Sequence, residues 1–101
     1  MNNWEPINKE ELEALVDEQL NECTPEQKEI FKKYRVPLKQ HFLERNGNKE
    51  KVFVVAVKNN EALYYEDVEE GFNFSPLNPD GSIKEHWSNQ DELKIALSHW
   101  Q

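Results

Sequence analysis

The sequence contains little cysteine and no long apolar run. Cys23 is the single cysteine among 101 residues, so an internal disulfide is excluded and no oxidising compartment is required. The longest apolar run, Val52–Val57, is far too short to span a bilayer, and the acidic first twenty residues exclude a secretory signal. We therefore expect a cytoplasmic protein that folds as one domain over residues 1–101.

Positive charge is in the minority. The chain has 12 Lys and Arg residues against 20 Asp and Glu residues, which gives a formal net charge of −8. A protein of that charge repels a phosphate backbone, because nucleic-acid affinity comes mainly from Lys and Arg that displace counterions. Direct binding to DNA or RNA is therefore not expected. The sequence also contains no catalytic or cofactor motif, so we expect a non-enzymatic protein without a cofactor.

Two helix starts stand in the first quarter of the chain. Asn8 as cap, with Glu11 as its capping-box partner, predicts a helix over Lys9–Glu22. Thr24 as cap, with Pro25 at the first helical position, predicts the start of a second helix. Two N-terminal helices in close succession follow from these signals.

The second helix is predicted to continue past a proline. Apolar residues recur at helical spacing at Ile30, Phe31, Tyr34, Leu38 and Phe42. Pro37 interrupts this stripe and removes a backbone donor, so we expect a kink there or two short helices end to end. The segment ends near Gly47, which suits a left-handed cap.

A β-region follows. Val52–Val57 predicts a central strand covered on both faces, and Asn59 with Asn60 predicts a two-residue hairpin turn. The turn sets the expected pairs: Lys58 with Glu61, Val57 with Ala62, and Val55 with Tyr64. The acidic segment 66–71 is interpreted as a loop.

The rest of the chain predicts two more strands and a helix. Phe72 and Phe74 alternate with polar residues as a third strand does. A turn at 78–81 precedes a fourth strand over Ser82–Trp87, and a helix that starts at Ser88 or Asn89 ends the chain. The predicted fold class is α+β: two N-terminal helices, an antiparallel sheet of three to four short strands, and a C-terminal helix.

Cysteine and histidine are the residues best suited to catalysis or metal binding. Cys23 precedes the second helix, whose positive end would lower its pKa, but the residue also continues an apolar stripe and suits a buried position. His41, His86 and His99 have no metal-ligand spacing. A small enzyme with a site assembled from Cys23 and histidines stays an alternative, because catalytic groups are recognised by geometry.

Charge is distributed unevenly along the chain. Residues 61–70 hold five acids and no base, and residues 5–22 hold seven acids against Lys9 alone. Residues 28–39 reverse the sign, with five cations against Glu29. This basic helix either neutralises its acidic neighbours or leaves an acidic surface elsewhere that binds a basic partner.

The acidic loop and its neighbours are the candidate partner-binding site. Aromatic side chains beside an acidic surface can anchor a protein that the charge attracts. The residues assigned to this site are Tyr64, Tyr65, Glu66, Asp67, Glu69 and Glu70. Each tyrosine is equally compatible with the core.

The run from Tyr64 to Phe74 is the most distinctive in a chain that is small, acidic and has one cysteine. In this character the protein resembles bacterial immunity proteins, which neutralise toxins. The resemblance implies binding of one cognate toxin, often a basic nuclease, at its active site or a remote surface. Two alternatives remain: a phage-encoded mimic of nucleic acid, and a homodimer that pairs through an aromatic face.

Overall fold

The computed structural model describes residues 6–45, 47–85 and 89–101, with Arg45 described by its backbone alone. The elements are α1 (Lys9–Leu20), α2 (Pro25–Tyr34), β1 (Arg35–Arg45), β2 (Asn48–Lys58), β3 (Glu61–Glu66), β4 (Gly71–Pro76) and α3 (Leu93–Ser98). The strands form one antiparallel sheet in the order β1-β2-β3-β4. The α+β prediction is confirmed.

Both N-terminal helices begin where the capping signals predict. The Asn8 side chain accepts the Glu11 backbone N–H at 2.8 Å, and the Glu11 carboxylate accepts the Asn8 N–H at 3.1 Å. Thr24 and Gln27 make the same reciprocal pair, both bonds at 3.1 Å. These bonds satisfy backbone amides that have no partner inside the helix. Because both partners lie within four residues, a short sequence signal is sufficient to predict each helix start.

The prediction that the second helix continues to Phe42 is wrong. Helix α2 ends at Tyr34 and the chain enters β1 directly. Pro37 cannot donate a helical hydrogen bond and restricts Val36 to extended backbone, so a strand that includes both is favoured over a kinked helix. Because β1 alternates its faces, Leu43 is buried while Phe42 is 53% exposed.

The β2–β3 hairpin has the predicted turn and most of the predicted register. Asn59 and Asn60 both adopt positive φ, at 49° and 68°. Two expected pairs form: Lys58 with Glu61, and Val57 with Ala62. The third pair is wrong, because a bulge shifts the register so that Val54 rather than Val55 lies opposite Tyr64.

Strand β4 confirms the strand predicted at Phe72 and Phe74. The strand predicted over Ser82–Trp87 is wrong for its described part: Ile83 forms only isolated bridges, to Leu43 and Leu77. His86 and Trp87 lie outside the described residues. The fourth strand of the sheet is β1, which the sequence pattern assigned to a helix.

Each face of the sheet has its own core. On one face the three helices cover sheet residues that include Ala56, Leu63, Tyr65 and Phe72. The other face buries Leu43, Val52, Val54, Ala62 and Tyr64 with Ile83. Segment 77–85 covers this second face and contacts both edges of the sheet: the Ile83 N–H donates to Phe42 of β1 at 2.8 Å, and the Lys84 N–H donates to Pro76 of β4 at 3.1 Å.

The C-terminal helix starts later than predicted. It begins at Leu93, whose N–H donates to the Gln19 side chain at 2.6 Å. Asn89 is not helical because its backbone N–H and C=O both bond the buried Asn73 side chain, at 3.0 and 3.1 Å. Phe72 also donates to Asp91 at 2.9 Å, so residues 89–91 cross β4 before the helix starts. Ser88, the other predicted start, lies outside the described residues.

This crossing predicts that Gly71→Ala destabilises the fold. An added Cβ would lie 2.2 Å from the Asn89 oxygen and 2.5 Å from the Gln90 Cα, so backbone must move. We expect a loss of about 3 kcal/mol in the free energy of unfolding, by urea denaturation. Hydrogen exchange at the Phe72 amide should also accelerate, since its acceptor Asp91 is displaced.

Gly47→Ala is the matched control for this substitution. Gly47 has positive φ but nothing within 4 Å of an added Cβ, so it carries only the conformational cost. Normal protection of the Phe72 amide in the Gly71→Ala variant would contradict the crossing of residues 89–91 over β4.

Candidate functional site

Two acidic segments that lie far apart in the sequence meet on one surface. The Ile7 N–H, just before α1, donates to the Asp67 carboxylate at 2.6 Å. Glu11, in the first turn of α1, is near enough to Asp67 to raise its pKa by charge repulsion. The acidic face is therefore defined as Glu11, Asp67, Glu69 and Glu70.

A tight turn over residues 67–70 joins β3 to β4 and presents most of this face. Glu70 adopts the left-handed region at φ 57° and is exposed. Glu69 accepts a weak hydrogen bond from Gln90 at 3.4 Å. Val68, between the acids, is 50% exposed. The turn thus displays an exposed apolar side chain between Asp67 and Glu69 in the sequence.

Asp67 has an altered proton affinity. Its partial burial raises its pKa, the Ile7 N–H opposes that shift, and Glu66, Glu70 and Glu11 add to it. The folded protein therefore holds a proton on Asp67 more tightly than the unfolded chain does. The free energy of unfolding therefore depends on whether Asp67 is ionised.

The structure corrects the placement of Tyr64 and Tyr65 as surface anchors, because both are core residues. Tyr64 is fully buried on the second face, and Tyr65 packs edge-on against Phe72 with ring centroids 5.1 Å apart. Burial, with the charges of Glu70 and Asp67, raises the pKa of Tyr65 to about 12. Partner binding stays a prediction, now confined to the carboxylates of the turn.

Glu66 was predicted to lie in a loop, but in the structure it is a buried strand residue. It is the last residue of β3, is 2% exposed, and accepts the Val68 N–H at 3.1 Å. Strand pairing therefore continues one residue into the acidic segment. Glu66 and Asp67 line a groove of about 440 Å3 together with Gln40 and Lys51 from the β1–β2 hairpin.

Cys23 is a buried thiol rather than an activated nucleophile. Its Sγ donates to the Gln19 carbonyl at 3.5 Å, and the side chain belongs to the core under the helices. Burial raises its pKa, and this effect exceeds the opposing influence of Lys28 and Lys94. The expected lowering by the start of α2 is not observed, which favours the interpretation as a small apolar side chain.

The described histidines have structural partners on different parts of the fold. His41 Nδ1 donates to the Gly81 carbonyl at 2.6 Å and holds the 78–81 turn against β1. His99 Nε2 donates to Glu61 at 3.1 Å, and the same carboxylate accepts Trp100 Nε1 at 2.7 Å. His86 lies outside the described residues. Within the described ranges, no group of three or more His, Cys, Asp or Glu residues converges as metal ligands.

The sequence analysis does not assign two residues, Val68 and Glu11, that lie at or beside the acidic face. Val68 is one of them, and its signal in the sequence is an apolar residue between two acids. The approach of Glu11 to Asp67 had no sequence signal, because it depends on how α1 packs over the sheet.

No protein-family model, curated protein or solved structure matches this chain. In the described part of the chain, no helix combines the length and apolar composition needed to cross a membrane.

The raised pKa of Asp67 predicts that Asp67→Asn stabilises the protein at neutral pH. The pKa lies above the ordinary value of 3.8 in the folded state, so ionisation lowers stability as pH rises through the folded pKa. The asparagine amide oxygen can still accept the Ile7 N–H. Urea denaturation should show a gain at neutral pH that shrinks below the ordinary Asp pKa.

Glu13→Gln, at an exposed position of α1, is the matched control and should change stability less. A gain for Asp67→Asn that did not depend on pH would mean that the carboxylate is not the cause.

The buried thiol predicts slow alkylation of Cys23. In the native protein at neutral pH, iodoacetamide should react about tenfold more slowly than in the urea-unfolded chain, because the thiolate is disfavoured and access is blocked. Mass spectrometry against time measures both rates. A native rate equal to or above the unfolded rate would restore Cys23 as a candidate nucleophile.

Proposed function

We propose that this protein is a non-enzymatic binding module, an immunity-type inhibitor that neutralises a basic bacterial toxin through its acidic face. The toxin is a protein whose surface carries clustered Lys and Arg, and a nuclease fits this description. The inhibitor acts by covering that surface.

One observation carries this proposal: the start of α1 and the 67–70 turn combine their carboxylates into a single face. The bond between the Ile7 N–H and Asp67 fixes the two segments together. Glu11, Glu69 and Glu70 add charge around it, and the whole chain has a net charge of −8. Such a field accelerates the approach of a basic protein.

Val68 supplies the apolar contact that charge alone does not. It is 50% exposed and lies between Asp67 and Glu69. Exposed charges contribute mainly to the rate of association, whereas a desolvated side chain at the centre of an interface slows dissociation. The turn therefore has the arrangement of a small interface core with a charged rim.

Among the residues that the structure describes, the contacts of the cysteine and the two histidines favour binding over catalysis. Cys23, His41 and His99 each bond a group of the fold itself: the Gln19 carbonyl, the Gly81 carbonyl and the Glu61 carboxylate. These bonds hold a helix end, a turn and the C-terminus in place.

The test uses charge reversal of the turn. Tagged wild-type protein and the Asp67→Lys/Glu69→Lys/Glu70→Lys variant are each incubated with host lysate at low salt, and retained proteins are identified by mass spectrometry. We expect the wild type alone to retain a basic protein, and high salt to release it. That protein, expressed alone, should arrest growth, and coexpression with wild type but not with the variant should restore it.

Glu22→Lys/Glu26→Lys/Glu29→Lys is the matched control. It changes the net charge equally at exposed positions beyond the opposite end of α1 from Ile7, so it should retain and neutralise the toxin. Neutralisation by the turn variant as strong as by wild type would contradict the assigned face.

A further inference from the structure

The sheet divides at one end into two hairpins. Strands β2 and β3 pair as far as Phe53 and Tyr65. Beyond that pair, Lys51 continues the pairing of β2 with β1, and Glu66 continues the pairing of β3 with β4. The β1–β2 and β3–β4 hairpins therefore part here, and the groove of about 440 Å3 lies between them.

The two sides of this groove carry opposite charges. Asp67 and the half-exposed Val68 line it from the 67–70 turn. Lys49 and Lys51 line it from β2. The acidic face is thus bordered on this side by two cations.

The lysines do not neutralise Asp67. Burial raises the pKa of Asp67, and the charged groups that act on it among the described residues, Glu66, Glu70 and Glu11, raise that pKa further. An ammonium group in ion-pair contact would lower the pKa instead. The opposite charges therefore face the groove without meeting across it.

Phe42 holds the two lysines beside the groove. Its ring is 53% exposed, and the ammonium nitrogens of Lys49 and Lys51 lie 5.9 and 5.8 Å from the ring centre. This cation–π attraction limits how far each lysine side chain ranges. Among the residues that the structure describes, neither lysine forms an ion pair with a carboxylate, so both can accept one from a partner.

We propose that this groove binds a segment of the basic partner in which an apolar side chain lies between a cationic side chain and a carboxylate. The cation meets Asp67, and the carboxylate meets Lys49 and Lys51. The apolar side chain packs on Val68. The segment thereby joins the two charges that the fold keeps apart.

The distribution of charge selects this occupant. A purely cationic segment would place charge beside Lys49 and Lys51, and a purely anionic segment would place charge beside Asp67, and both contacts are repulsive. Glu50 and Glu66 also line the groove, so carboxylates outnumber lysines there by three to two. A segment that is basic overall but carries one carboxylate satisfies both sides, and basic proteins without that carboxylate are bound less well.

This inference rests on the proposed function, since the segment belongs to the basic partner that the acidic face attracts. The two can fail separately, because Lys49 and Lys51 are not part of the acidic face. Retention of a basic protein by the wild type but not by the turn variant, together with failure of the peptide tests below, would uphold the acidic face and overturn the groove.

The first experiment titrates the isotope-labelled full chain with two synthetic peptides by amide NMR. The amphoteric peptide combines lysine, leucine and glutamate and has a net positive charge. In the matched peptide, glutamine replaces every glutamate and an equal number of lysines, so length and net charge are unchanged. We expect the amphoteric peptide to bind about tenfold more tightly and to shift the amides of Gln40, Lys51, Asp67 and Val68. Equal affinity, no binding of either peptide, or shifts confined to other residues would overturn the proposal.

The second experiment reverses the charge of the lysines. Lys49→Glu/Lys51→Glu makes the whole protein more negative, so a surface that used net charge alone would bind both peptides more tightly. We expect opposite changes: the matched peptide gains affinity, whereas the amphoteric peptide loses about tenfold because its carboxylate now meets glutamates. A change in the same direction for both peptides would overturn the role of the lysines.

Lys32→Glu/Lys33→Glu is the matched control for this reversal. It makes the same change of charge at exposed positions of α2 that do not line the groove. The preference for the amphoteric peptide should therefore persist. Loss of that preference in the control as well would reduce the effect to net charge and overturn the assignment.

Discussion

The fold depends on one constraint: the two central strands are apolar on both faces. Val54 and Tyr64 bury one face, while Leu63 and Tyr65 bury the other. Neither face can be left to water, so the chain must supply two covers. The three helices form one cover. Segment 77–85 forms the other and bonds both sheet edges through Ile83 and Lys84.

This double cover determines where the charges are placed. Tyr64 and Tyr65, which lie next to the acidic residues, are buried in the two cores and so cannot contact a partner. The carboxylates are left at the sheet end, where α1 begins, and the lysines are left on the outer side of α2. The molecule consequently has two surfaces of opposite charge, and the exposed Val68 lies within the acidic one. The proposed binding of a basic protein uses the acidic surface.

What the sequence predicted correctly rests on local signals. Helix starts at Asn8 and Thr24, and the turn at Asn59 and Asn60, depend on hydrogen bonds or φ values within a few residues, so the local order of residues is enough to predict them. The helix prediction fails for β1 because its apolar residues happen to match a helical period, so the pattern alone does not distinguish a kinked helix from a strand that contains proline.

The failures of the site prediction have a long-range cause. The crossing of residues 89–91 over Gly71 and the contact between Ile7 and Asp67 both join distant parts of the chain. No local pattern encodes them. The acidic character of the turn was predictable from composition, whereas the burial of Glu66 and the membership of Glu11 required the packed structure.

The most direct test of this account is an NMR titration of the Ile7 amide with pH. If Asp67 accepts this N–H and the two acidic segments form one face, the Ile7 amide shift should follow a single ionisation with a midpoint above 3.8, the ordinary value for aspartate. The shift should disappear in Asp67→Asn. An Ile7 amide that ignores pH across this range would contradict the joining of the two acidic segments, and with it the acidic face.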